Sequence, residues 1–117
     1  MTLIEELVYK FLNENMTVPV YTEIPSNPPK KMIVLEKTGS SQSNFIKQST
    51  FAIQSYAKSL FEAAELNEQL KEIVMDGLDG LASLNEIVSV GLNSDYNYTD
   101  TATKKYRYQA VFNIVHY

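Results

Sequence analysis

Gln48-Ser49-Thr50-Phe51-Ala52-Ile53-Gln54-Ser55-Tyr56 alternates like a half-buried strand, with Phe51 and Ile53 on one face, and the next residues switch to a helical period with almost no loop between. From Ala57 to Leu78 the apolar residues Ala57, Leu60, Phe61, Ala64, Leu70, Val74 and Leu78 recur at helical spacing. A strand feeding directly into a long amphipathic helix fixes how that helix lies against the sheet. The stretch therefore predicts a layer of helix on sheet.

Upstream, Thr2 can cap a first helix, with Glu5 completing a capping box. Leu3, Leu7, Val8, Phe11 and Leu12 form its apolar face, which ends near Asn13-Glu14-Asn15. Thr17 to Glu23 reads as a short strand in which Pro19 removes a ladder donor, which places it at an edge or leaves it only partly paired. Ile24-Pro25-Ser26-Asn27-Pro28-Pro29 is a stiff turn. Lys31 to Lys37 follows as a strand whose unbroken run Met32-Ile33-Val34-Leu35 predicts burial on both faces. Thr38-Gly39-Ser40-Ser41-Gln42-Ser43-Asn44 reads as a long polar hairpin loop. Downstream, Gly77 and Gly80 supply a helix stop. Ile87 to Leu92 is a fourth strand, Asn93 to Thr103 a polar, turn-rich connection, and Lys105 to His116 a last strand. That strand sets Tyr106, Tyr108, Ala110, Phe112 and Ile114 against Arg107, Gln109, Val111, Asn113 and Val115. The expected fold is α+β, in the order α-β-β-β-α-β-β, with one mostly antiparallel sheet of four or five strands and two helices.

Composition bounds the function. The 117 residues are enough for a single core and one domain. A net charge of −4 argues against a dedicated nucleic-acid binder. With no cysteine, disulfides and thiolate metal sites are excluded. No basic n-region opens the chain, and no apolar run approaches the roughly 18 residues that span a bilayer, so a cytoplasmic, membrane-free protein is expected. Eight tyrosines and no tryptophan are the compositional oddity; tyrosine suits half-exposed strands and interfaces alike.

The candidate chemistry is sparse. Glu62, Glu65, Gln69, Glu72 and Asp76 share one helix face. Such a face is ordinarily the solvated side opposite an apolar stripe. It could also hold a divalent cation, serve a small hydrolase as acid and base, or meet something basic in an assembly. His116 is the one histidine, so strand-end packing explains it better than a metal site or a nucleophilic triad. Ser40, Ser41 and Ser43 lie outside any nucleophile elbow, and the scattered glycines match no phosphate loop. Lys30-Lys31 and Lys104-Lys105-Arg107 are the basic clusters. With Tyr106 and Tyr108 interleaved, the second could stack on single strands. An interface role fits it better, because tyrosine and arginine anchor protein contacts. No cofactor, metal or sequence-specific nucleic acid is expected.

Val18-Pro19-Val20-Tyr21, Ile24-Pro25 to Pro29, Met32-Ile33-Val34-Leu35, Phe51 to Leu78 and Tyr106-Arg107-Tyr108-Gln109-Ala110-Val111-Phe112 together resemble the tail-terminator, or tail-completion, proteins of long-tailed phages and prophages. The likeness spans nearly the whole chain and rests on pattern, without an invariant chemical motif. It implies a structural protein, not an enzyme, that forms a ring (commonly a hexamer). That ring caps the tail tube, ends its polymerisation and offers a docking surface for the head connector. The implied partners are further copies, the major tail tube protein and head–tail connector proteins, and the implied location is the tail–head junction of a virion made in a bacterial cytoplasm. Contacts are then expected at Ser40, Ser41, Asn44 and Phe45, at Asp95, Tyr96, Tyr98, Lys104 and Lys105, and on the acidic face at Glu62, Glu65, Glu72 and Asp76. Phe45, a large apolar group beside a polar loop, either anchors such a contact or packs back on the sheet. A neck component is the neighbouring alternative. A carboxylate-dependent hydrolase or a generic binding module are the alternatives from other classes.

Overall fold

The computed structural model describes residues 4–43, 45–78 and 87–117. Helix α1 (Ile4–Asn15) leads through strand β1 (Val20–Tyr21) into the long hairpin of β2 (Met32–Ser43) and β3 (Ile46–Ala57). Helix α2 (Leu60–Ile73) and a π-helical turn (Val74–Leu78) follow, and β4 (Ile87–Asn97) and β5 (Tyr106–His116) close the chain. The strands form one five-stranded sheet in the order β1-β2-β3-β5-β4. All its pairings are antiparallel except that of β1 with β2. The fold is α+β, in the element order read from the sequence.

Alternation decides which face each side chain takes. Ile33, Leu35, Phe51, Ile53, Ala110, Phe112 and Ile114 project to one side, where Val8, Phe11 and Leu12 of α1 and Leu66, Leu70 and Val74 of the second helical segment cover them. On the opposite side Met32, Val34 and Tyr56 make a smaller cluster with Tyr21. The apolar run Met32–Leu35 is therefore buried on both faces, as its lack of alternation predicts.

Several boundaries differ from those expected. The segment read as a strand over Thr17 to Glu23 shrinks to Val20–Tyr21 and pairs in parallel with Ile33 and Val34, not antiparallel. The Pro-rich stretch between them is long enough to carry the chain back to the same end of the sheet. The supposed loop Thr38 to Asn44 is strand as far as Ser43: Gly39, Ser40, Ser41, Gln42 and Ser43 pair with Thr50, Ser49, Gln48, Lys47 and Ile46. The ladder needs only backbone groups, and one register shift between Lys37 and Gly39 absorbs the extra residue. Likewise β4 runs through Asn97, so half of the connection assigned to Asn93–Thr103 is edge strand.

Helix α2 starts at Leu60 rather than Ala57, because Ala57 still pairs with Tyr106 and because Ser59 caps the helix. The Ser59 Oγ accepts a 3.2 Å hydrogen bond from Glu62 N. This shifts the buried stripe to Ala63, Leu66, Asn67 and Leu70 and leaves Phe61, expected inside, 75% exposed. Gly77 lies within the π-helical turn, without a positive φ, and so is no helix stop. Its missing Cβ makes room for the Phe11 ring instead. Thr2, Leu3, Asn44 and Gly80 fall outside the described residues.

Candidate functional site

The distal half of the β2–β3 hairpin is built from polar side chains on a continuous backbone ladder. Ser40, Ser41, Gln42 and Ser43 are all exposed. At the turn, Phe45 is 87% exposed, with Ile46 beside it also exposed. The second of its two expected roles, packing back on the sheet, is therefore not what the side chain does. Its φ of 69° places a bulky aromatic in the left-handed region, which costs roughly 1–2 kcal/mol. The left-handed backbone serves the turn itself, since Ser43 pairs with Ile46 and a two-residue hairpin loop uses positive φ. The exposed aromatic ring at that position is what the turn does not require.

The sheet face away from the helices is a second surface. Across it runs a chain of hydrogen bonds from β3 through β5 to β4. Arg107 Nη1 donates to Tyr56 Oη at 2.8 Å, Tyr56 Oη donates to Gln54 Oε1 at 3.0 Å, and Gln54 Nε2 donates to Gln109 Oε1 at 2.9 Å. Gln109 Nε2 in turn donates to Tyr96 Oη. Arg107 also lies 4.4 Å from the Tyr98 ring centroid and donates from Nε to the Tyr98 carbonyl at 2.7 Å, while Tyr96 and Tyr98 meet edge to face. Tyr96 and Tyr98, two of the expected contact residues, thus lie together. Period-two alternation sets Tyr106 and Tyr108 on the opposite face of β5 from Arg107, while Tyr106 lines a cavity with Lys104 and Lys105 at the end of the strand. The residues missed were Gln54 and Tyr56. Their signal was the second face of the same alternating strand.

The other expected contact residues are scattered. Asp95 faces α2, where its Oδ2 accepts from Asn67 Nδ2 at 3.0 Å and Lys71 Nζ at 2.9 Å, so it ties the edge strand to the helix. The hydrogen bonds from Lys71 to Glu68 and to Asp95 raise the lysine above its usual range. Glu65, Glu72 and Asp76 stay exposed along α2 and the turn after it, with Glu62 half-buried at the helix start. Among the described residues no three acidic or histidine side chains gather as a metal site would require. Lys104 and Lys105 end an exposed turn closed by Asp100, whose carboxylate is held below the usual range by hydrogen bonds from Thr103 and Ala102. Near them, Lys30, Lys58, Lys104 and Lys105 rim a cavity of about 230 Å³ floored by Pro29, Met32, Tyr56 and Tyr106. His116 is buried at the strand end and shares a 2.8 Å hydrogen bond with Ser49 through Nε2, and its Nδ1 contacts the Tyr117 carbonyl.

A cleft of about 420 Å³ lies between α1 and β1, lined by Glu5, Glu6, Tyr9, Val20, Tyr21, Thr22 and Glu23. Nothing in the sequence pattern drew attention to it, because its walls come from two elements whose apposition follows only from the parallel β1–β2 pairing. Among the described residues no helix is long and apolar enough to cross a membrane. The sequence matches no protein-family model and no curated protein.

Proposed function

We propose that this chain is a structural assembly protein of a long-tailed phage or prophage, which caps the tail tube as an oligomeric ring, ends tail polymerisation and provides the surface for head joining. The observation that carries the reading is Phe45, an aromatic held 87% exposed at a hairpin tip whose turn would favour glycine or asparagine. The element order α-β-β-β-α-β-β, shared with the family that the sequence resembles, supports it.

The physical logic is that of closure. A ring is made by one contact repeated between two different patches of each subunit. Burying the Phe45 ring against a neighbour is worth about 1.5–3 kcal/mol, enough to offset the strain in its backbone. The Tyr96–Tyr98–Arg107 surface is rich in the residue types that anchor contacts and can receive the tube protein or the connector. In this role the chain is not an enzyme and uses no metal or cofactor; its partners are its own copies, the tube protein and the connector.

Electron microscopy of phage particles from a strain lacking the chain tests the role. Tails of uncontrolled length, with no heads attached, are expected. Tails of normal length would overturn the reading. Headless tails that keep their normal length would instead favour a neck component.

A further inference from the structure

We infer that the hairpin tip Phe45-Ile46-Lys47 docks into the Tyr9–Tyr21 cleft of a second copy of this chain. The tip offers an exposed aromatic, an exposed aliphatic side chain and a lysine in sequence. The cleft offers the matching features: apolar walls from Tyr9, Val20 and Tyr21, and carboxylates at Glu5, Glu6 and Glu23. Glu5 is already bridged to Lys37 at 3.5 Å, so the incoming Lys47 would meet Glu6 and Glu23. A basic, apolar tip and an acidic, apolar cleft are complementary in both charge and polarity.

The fold dictates that the two patches meet only between copies. Tyr21 in the cleft pairs with Val34, near the start of β2, whereas the tip lies beyond Ser43 at its end. At roughly 3.3 Å per residue that separation is about 30 Å along a rigid strand, so a subunit cannot fill its own cleft. Two different patches at opposite ends of one sheet make a head-to-tail contact, which closes into a ring or continues as a filament. The inference rests on the ring reading for its second copy, and it adds what that reading lacks: the acceptor for Phe45.

The absence of cysteine permits a clean test by crosslinking. Thr22→Cys labels the rim of the cleft and Ser43→Cys the tip, both at exposed positions. With a short bismaleimide, neither single variant should crosslink to itself, a mixture of the two should give dimers, and the double variant should give a ladder ending at the size of the closed ring. Adding Phe45→Ala to the tip partner should cut the dimer yield about ten-fold or more. Lys47→Glu should weaken crosslinking, and Glu23→Lys in the other copy should restore it. An oligomer that forms without the tip-to-cleft crosslink, or crosslinks between two tips, overturns this contact and leaves the ring reading standing. A ladder without an end keeps the contact and overturns closure. A chain that stays monomeric at every concentration overturns the contact. Protection of Ser43→Cys from labelling by tails, but never by other copies, assigns the tip to the tube protein instead.

Discussion

The two halves of the β2–β3 hairpin share one backbone ladder and differ in everything else. Near the helices, Met32–Leu35 and Phe51–Ile53 are buried beneath α1 and α2 or behind Tyr21. Beyond Glu36 every described residue of β2 is exposed, and the hairpin ends in an exposed phenylalanine. The contrast separates two causes that are often merged. Backbone pairing makes a strand, whereas burial depends on what lies over it. The proximal half is stabilised within the subunit, whereas the distal half of β2 and the tip are built as if their cover comes from elsewhere.

Aromatic substitutions should break this contrast most sharply. Phe51→Ala leaves a cavity at the centre of the core and should cost about 3–5 kcal/mol, a large part of the total stability of a domain of this size, as read by urea denaturation. Phe45→Ala, only a few residues away, should leave stability within about 0.5 kcal/mol while removing self-association. Equal losses of stability at the two sites would show that the tip is part of the core.

Next in size is Gly77→Ala. A Cβ there would stand 2.7 Å from Phe11 Cζ, so the ring must shift, and a loss of about 1–3 kcal/mol is expected in place of the gain that alanine usually brings to a helix. Phe11→Leu in the same chain should recover part of that loss. The smallest effect concerns the link between α2 and the edge strand. Lys71→Met should cost about 1 kcal/mol near neutral pH. Because Lys71 is raised above 10.5 in the fold, its contribution is complete below that pH and is lost as pH rises through the folded value. The difference between wild type and variant should therefore disappear in strong alkali. A difference that persists there would mean that the uncharged amine still holds Asp95 by hydrogen bonding.

The proximal half was legible in the sequence because apolar periodicity reports burial. Phe51, Ile53, Phe112 and Ile114 alternate where a helix covers one face, and Met32–Leu35 does not alternate because both faces are covered. The distal half was not legible for the same reason. Ser40–Ser43 and the end of β4 carry no apolar signal, yet their backbones pair as well as any. The start of α2 was misplaced because Ala57, Leu60 and Phe61 fit a helical period, while Ser59 and the pairing of Ala57 decide the boundary. Of the candidate contacts, Phe45, Tyr96 and Tyr98 emerge as exposed aromatics, whereas Asp95 turns out to hold α2. The cleft at Tyr9 and Tyr21 needed the parallel pairing of β1, which local sequence does not encode.

Native mass spectrometry of the wild type and of Phe45→Asn over a range of concentrations tests the central claim most directly. Asparagine tolerates the left-handed conformation, so the variant keeps the turn and loses only the ring. The account predicts a closed oligomer of defined size for the wild type and a monomer of equal or greater thermal stability for the variant. A variant that assembles as fully as the wild type, or a wild type that remains monomeric throughout, would contradict it.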